Sequence, residues 1–221
     1  MSGRTVRPGA RGLDNDRRIF REMTRILTTL ASFSIILLVT SLVLGLGIGD
    51  LYAMPHASPD TLRWATVHRL TGMAAALAVV FVESIIVTYF IGTSRWCREV
   101  VETYRLDPSA VRESNRLKRR TFPWALMGML AVVGVIALGA AADPGTGRPN
   151  TEGWTEWHLA AAVVGIAFIA WTFVIAWNNV LAHHAIIERL VSEVAQVRRQ
   201  RGQEASGQAE QLPTSKTFRP A

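Results

Sequence analysis

Long stretches without charged side chains constrain the fold of this chain more than any other feature. Four such runs cover residues 26–49, 70–94, 121–142 and 157–187, and within them Glu83 is the one Asp, Glu, Lys or Arg. A helix needs roughly 20 residues to cross the hydrocarbon core of a bilayer. The runs are apolar on all sides, whereas helices of soluble proteins keep a polar face. We therefore predict an all-α integral membrane protein with four transmembrane helices in a bundle.

The charged residues between these runs predict how the bundle is oriented. Residues 1–25 and 95–120 each carry a net charge of +4, and residues 188–221 carry +2. The two remaining connections carry 0 and −2. By the positive-inside rule, both termini and the middle connection are cytoplasmic. The same rule explains the overall charge of +7, so we expect contact with a lipid bilayer and none with nucleic acid.

The pattern around the runs predicts the domain boundaries. We expect a disordered basic N-terminus at 1–13, a four-helix membrane domain at 14–201 and a disordered tail at 202–221. Apolar residues at helical spacing continue beyond the second run, and Asp107-Pro108 is typical of a helix start. Residues 95–120 are therefore predicted to form a cytoplasmic helical hairpin. The chain has 22 Arg and 2 Lys, a bias typical of GC-rich genes, which favours a bacterial plasma (inner) membrane.

The two halves of the sequence resemble each other after a shift of 90 residues. The segment Trp64–His68 then aligns with Trp154–His158, with Trp and His coinciding. At the ends of the first and third runs, Leu44–Asp50 resembles Leu138–Asp143. We interpret this as a duplicated helical hairpin, whose copies would be related by a two-fold axis along the membrane normal.

His68 and His158 are the candidate cofactor ligands. They occupy equivalent repeat positions at the starts of the second and fourth runs, and small residues follow both on the same helical face. Two imidazoles facing each other across a four-helix bundle are the axial ligands that a b-type haem requires. The arrangement broadly resembles small four-helix membrane cytochromes b, which implies a redox role. The alternative is a pair of structural histidines near the membrane surface.

Other histidines of the fourth run are expected to play no part in cofactor binding. His183 and His184 lie near its end, and their repeat equivalents are Thr93 and Ser94. A second bis-histidine site is therefore not expected, and we interpret His183 and His184 as residues that reach toward the membrane surface.

Glu83 is the candidate for a proton or ion site. An ionisable residue near the middle of a transmembrane helix is costly and indicates a function by default. Thr172 and Asn179 recur on the inward stripe of the fourth run, so we expect one of them, or a serine of the first run, to bond the Glu83 carboxyl. The alternative is a protonated Glu83 that locks helices together.

Three functions remain open from the sequence. The first is a structural or anchoring subunit of a membrane complex, with a protein partner or a homo-oligomer. The second is a haem-binding electron-transfer subunit, and the third is a small oligomeric transporter or channel that uses Glu83. The chain carries no zinc-binding spacing, phosphate-binding loop or Ser-His-Asp arrangement, and its single cysteine, Cys97, excludes a disulfide scaffold. We expect no conventional enzyme, at most a redox subunit.

Overall fold

A computed structural model describes residues 8–54, 56–147 and 153–210, with side chains described from Thr24 to Gln203. Its long helices are α1 (Pro8–Ile48), α2 (Pro59–Tyr104), α3 (Ser109–Ala141) and α4 (Trp154–Glu210). Short 3-10 helices follow α1 at Leu51–Ala53 and α3 at Pro144–Thr146. All four long helices are long and apolar enough to cross a membrane. The predicted all-helical fold with four membrane-spanning helices is confirmed.

The helices begin and end at residues suited to those positions. Ser58 accepts the N–H of Thr61 and is followed by Pro59 at the first position of α2, where the missing proline N–H costs nothing. Gly49, with φ of +74°, ends α1, as glycine commonly does because it tolerates left-handed backbone. At the end of α2, the left-handed position is filled by Arg105 instead, with φ of +57°.

The connection between α2 and α3 is a tight turn. Asp107 accepts a hydrogen bond from the backbone N–H of Ser109, at 3.1 Å. Hydrogen bonds from the hydroxyl and the backbone N–H of Ser109 lower the pKa of the exposed Asp107 carboxyl below its ordinary value. An ionised carboxylate is well placed here, because the first N–H groups of a helix lack partners within it. Helix α3 begins at Ser109, one residue after the predicted start at Pro108.

The helices pack as a four-membered ring in which neighbours along the chain are neighbours in space. α1 packs on α2, α2 on α3 and α3 on α4, with smaller contacts from α4 to α1 and α2. We call the end that contains the α2–α3 turn the turn end, and the opposite end the His68 end. Because α2 and α4 stand across the ring from each other, residues on their inward faces can meet at its centre.

Exposure of the side chains agrees with a bilayer environment. The interior contains Ala75, Val79 and Phe90, each 0% exposed, whereas Leu77 is 73% and Val164 69% exposed. Large apolar side chains that face outward along whole helices are unfavourable in water and suited to lipid. The chain is therefore a membrane protein with a lipid-facing outer surface.

Two helix boundaries differ from those predicted. α1 begins at Pro8, within the segment 1–13 expected to be disordered, and α4 continues to Glu210, within the predicted tail 202–221. Residues 202–210 include Gln, Glu and Ala, which have high helix propensity, so the helical pattern outlasts the apolar stripe that set the predicted end. The predictions for residues 1–7 and 211–221 lie outside the described residues.

Candidate functional site

The two candidate histidines meet inside the bundle. His68 on α2 and His158 on α4 have ring centroids 6.3 Å apart, with ring planes at 72°. Both side chains are half-buried. The α2 and α4 helices stand diagonally across the bundle from each other. The two imidazole rings therefore lie on opposite sides of the bundle centre, at the same end of the bundle.

A glycine of the preceding helix provides space for each histidine ring. A Cβ added at Gly45 of α1 would lie 3.0 Å from Cε1 of His68. A Cβ added at Gly139 of α3 would lie 2.8 Å from Cε1 of His158. Distances below 3.0 Å are not tolerated between a real Cβ and a neighbouring carbon. The two rings therefore have matching positions, each against a glycine of its own hairpin.

Hydrogen bonding fixes one nitrogen of His68 and leaves the other unpaired. Its Nδ1 lies 2.9 Å from the carbonyl oxygen of Ser41, so Nδ1 carries the proton. In His158 the buried Nδ1 faces the backbone of Val135 without a hydrogen bond of normal geometry. Ser41 and Val135 each precede the contacting glycine by four residues. Within the described residues, no hydrogen-bond partner lies on Nε2 of either ring, which leaves both nitrogens able to bind a metal.

The structure places Glu83 in the bundle interior, with one carboxyl oxygen bonded and one unbonded. Its side chain is 0% exposed. Oε1 lies 2.8 Å from the hydroxyl of Thr172 on α4, and a Cβ added at Gly128 of α3 would be 2.6 Å from the same oxygen. Oε2 is buried and has no hydrogen-bond partner. Of the candidate partners named from the sequence, Thr172 is the one that contacts Glu83.

Asn179 bonds a different residue. Its Nδ2 donates to Oγ1 of Thr121 on α3, at 2.9 Å. It lies seven residues beyond Thr172 on α4, which is about 10 Å along a helix. Asn179 is therefore on the expected inward stripe but too far along it to reach Glu83.

His183 lies in the interior, contrary to the interpretation as a residue reaching the membrane surface. It is 0% exposed, with Nε2 at 2.8 Å from Ser114 Oγ and Nδ1 at 3.3 Å from the Tyr89 hydroxyl. Ser114 also donates to Ser94 at 2.9 Å. These four residues, the His183 cluster, join α2, α3 and α4. The physical reason is helical phase, because His183 shares the inward face of Thr172 and Asn179. His184 is partly exposed and lies 3.2 Å from Glu188.

Sequence reasoning missed the two glycines that matter most, Gly128 and Gly139. A signal for Gly139 was available, since it aligns with Gly45 in the resemblance between Leu44–Asp50 and Leu138–Asp143. Gly128 lies at no special position of the sequence pattern, and only the contact with Glu83 distinguishes it.

The grooves on the molecular surface are separate from these interior sites. One apolar groove of about 660 Å³ runs along the start of α4 past Trp154 and Trp157, and another of about 600 Å³ runs along α2 from Phe81 to Trp96. Neither is lined by His68, His158 or Glu83. No group of three or more His, Cys, Asp or Glu that could hold a metal occurs in the part of the chain that the structure describes.

The fold and this interior define a four-helix membrane protein with a facing pair of histidines at one end and a buried carboxyl group further inside. Comparison with protein families, curated proteins and solved structures finds no match to this chain.

Proposed function

We propose that this protein binds a b-type haem between His68 and His158 and serves as an electron-transfer subunit of a membrane complex. The observation that carries this proposal is the 6.3 Å separation of the two ring centroids across the bundle. Two imidazoles that each bind one shared metal ion at about 2 Å through a ring nitrogen have centroids about 6 Å apart. Two histidines without a third protein ligand fit a metal whose other ligands come from a porphyrin.

The surroundings of the rings support the same interpretation. A metal-binding histidine usually donates its other N–H to a carbonyl or carboxylate, which fixes the ring and its tautomer. The Ser41 carbonyl does this for His68. Gly45 and Gly139 make room for the two rings, and small residues follow each histidine on its own helix. These features suit a flat ligand between the two hairpins.

A bound haem would supply one-electron transfer, and the chain's own residues would hold it at one end of the bundle. The His183 cluster cannot provide a matching site at the turn end, because both ring nitrogens of His183 already have partners. With one haem, electrons would be exchanged with partners near the His68 end and not carried across the whole membrane.

Matching structure in the two hairpins supports an internal duplication. Asp50 accepts the N–H of Tyr52 and begins one 3-10 helix, and Asp143 accepts the N–H of Gly145 and begins the other. Each lies just after the helix that contributes the glycine against a histidine ring. A haem between the two copies would lie on the two-fold axis that relates them.

The charge pattern supports the location of the site. If the positive segments are cytoplasmic, both termini and the α2–α3 turn face the cytoplasm of a bacterial inner membrane. The His68 end then lies at the outer face, where the redox partner would be met. The extensions of α2, α3 and α4 beyond the membrane would offer the cytoplasmic surface for a protein partner or a second copy.

A reduced-minus-oxidised absorption spectrum of the full chain, expressed with haem supplied and purified in mild detergent, tests the proposal. We expect a b-type spectrum that His68→Ala and His158→Ala each abolish. His56→Ala is the matched control, since His56 is exposed in the connection after α1, and it should leave the spectrum unchanged.

A second pair of variants tests the space beside the His68 ring. Gly45→Ala places a Cβ 3.0 Å from the His68 ring, whereas Gly47→Ala on the same helix meets nothing within 4 Å. We expect weaker haem binding with the first variant alone. A folded, colourless protein would contradict the proposal, and co-purifying proteins in that preparation would favour the alternative of an anchoring subunit.

A further inference from the structure

The buried carboxyl group of Glu83 lies in surroundings that favour its protonated form. Thr172 Oγ1 is 2.8 Å from Glu83 Oε1 and 2.8 Å from the carbonyl oxygen of Ile169. A hydroxyl has one proton to donate, and the Ile169 carbonyl can only accept. If Thr172 donates to Ile169, the proton in the other bond comes from Glu83. A neutral carboxylic acid therefore completes both hydrogen bonds.

The unbonded oxygen leads to the same assignment. Oε2 is buried and has no hydrogen-bond partner. A buried oxygen of a carboxylate anion without partners is far more costly than the carbonyl oxygen of a neutral acid. The facing residues are uncharged, Gly128 on α3 and Thr172 on α4, and α1 carries no charged residue from 26 to 49. Nothing that faces Glu83 among the described residues offers a positive charge.

Among the described residues, buried polar side chains that bond between helices lie beyond Glu83 toward the turn end, separated from it by apolar side chains such as Ile86 and Ala176. Toward the turn end, the inward face of α4 presents Thr172, then Asn179 bonded to Thr121, then His183 bonded to Ser114. Toward the His68 end, the interior is filled by apolar side chains that are at most 1% exposed: Ala75, Val79, Val132 and Ile169. Ser34 is the polar residue buried at that depth, and its hydroxyl donates to Leu30 of its own helix.

We propose that Glu83 is a proton-binding site within the membrane domain, and that it exchanges its proton with the side of the membrane at the turn end. The site consists of Glu83, Thr172 and Gly128, from three helices. Proton exchange passes the Asn179–Thr121 pair and the His183 cluster. This proposal is independent of haem binding, since His68 lies 15 residues, or about 22 Å, along α2 from Glu83.

Infrared spectroscopy of the full chain in lipid nanodiscs tests the proton-binding site. At neutral pH we expect a carboxylic acid C=O band that shifts in D₂O and is lost in Glu83→Gln. Thr172→Val removes the acceptor of the acid proton and should shift this band, whereas Thr172→Ser keeps it in place. Absence of the band, or its persistence in Glu83→Gln, would overturn the assignment, and the Thr172 pair decides if Glu83→Gln does not fold.

The rate at which the band shifts after transfer to D₂O tests the route. Asn179→Leu blocks the polar side and should slow the exchange roughly tenfold, as a change of about 1.4 kcal/mol in a barrier does. Ser34→Ala, on the other side of Glu83, should leave the rate unchanged. Slower exchange in Ser34→Ala with an unchanged rate in Asn179→Leu would place the route at the His68 end and overturn the proposed direction.

Discussion

Single glycines determine where the polar side chains of the interior can lie. Gly45, Gly128 and Gly139 each lie against a polar side chain, respectively His68, Glu83 and His158. A helix that presents no side chain at such a point lets the facing imidazole or carboxyl group approach the backbone. In membrane bundles small residues usually serve close helix packing, and here they serve polar groups as well.

Gly139→Ala should destabilise the protein by about 1–3 kcal/mol, the usual effect of overpacking an interior. The added Cβ would lie 2.8 Å from the His158 ring, so the ring or one of the helices would have to shift. Gly134→Ala is the control on the same helix, because a Cβ there meets nothing within 4 Å. Thermal unfolding in detergent should distinguish the two variants, and equal melting temperatures would contradict the expected contact.

Ser114→Ala should cost about 1–3 kcal/mol, because it leaves Nε2 of the buried His183 without a partner. The loss of the 2.8 Å contact cannot be replaced by water, since both residues are 0% exposed. Ser192→Ala on the exposed face of α4 should change stability by no more than about 0.5 kcal/mol. The comparison is again made by unfolding in detergent, and an unchanged Ser114→Ala protein would show that the His183 cluster contributes little.

Helical phase and depth gave conflicting indications for one residue. His183 shares the inward stripe of Thr172 and Asn179, which indicates a buried position, whereas its place near the end of the apolar run suggested the membrane surface. The structure follows the phase, because α4 continues inside a packed bundle well beyond the run. Contacts such as Thr172–Glu83 could be predicted from helical spacing, because it shows which residues face inward. Contacts that depend on the axial offset between helices, such as Asn179–Thr121, could not be predicted in this way.

At the scale of helices and turns, the end of α2 has a backbone conformation that is unfavourable for its residue. Arg105 occupies the left-handed region at φ of +57°, where the Cβ of an L-residue is crowded. Its backbone N–H still bonds the carbonyl of Val101, and Leu106 bonds the same oxygen. Glycine is the usual residue at this position, as Gly49 is at the end of α1.

Arg105→Gly should therefore stabilise the protein by about 1 kcal/mol, the approximate cost of a left-handed L-residue. Arg105→Ala removes the same charge but keeps the Cβ, and should bring no such gain. Melting temperatures of the two variants in the same detergent check this expectation. A gain in Arg105→Ala that equals that in Arg105→Gly would assign the effect to charge and not to backbone strain.

For the whole molecule, the sequence determined the number and limits of the membrane-spanning runs better than the arrangement inside them. A run without charged residues can be read directly from the sequence, and it indicates that the helix is surrounded by lipid and not by water. The ring order of the helices, and so the meeting of His68 with His158, depends on packing between segments 90 residues apart. The resemblance between the two halves of the sequence supplied this information indirectly, because it puts His68 and His158 at equivalent positions.

An even number of spanning helices requires that both termini lie on one side of the membrane, and the charge pattern predicts that this side is the cytoplasm. Reporter fusions at both termini and at the α2–α3 turn should therefore report the cytoplasm, and fusions in the connection after α1 the opposite side.

The net charges of +4 on residues 1–25 and on 95–120 oppose 0 and −2 on the other connections. Replacing Arg17, Arg18, Arg21 and Arg25 by Gln should produce a mixed orientation. A uniform orientation in that variant would show that the middle connection alone decides the topology, and an outward N-terminus in the wild type would place the paired histidines on the cytoplasmic face.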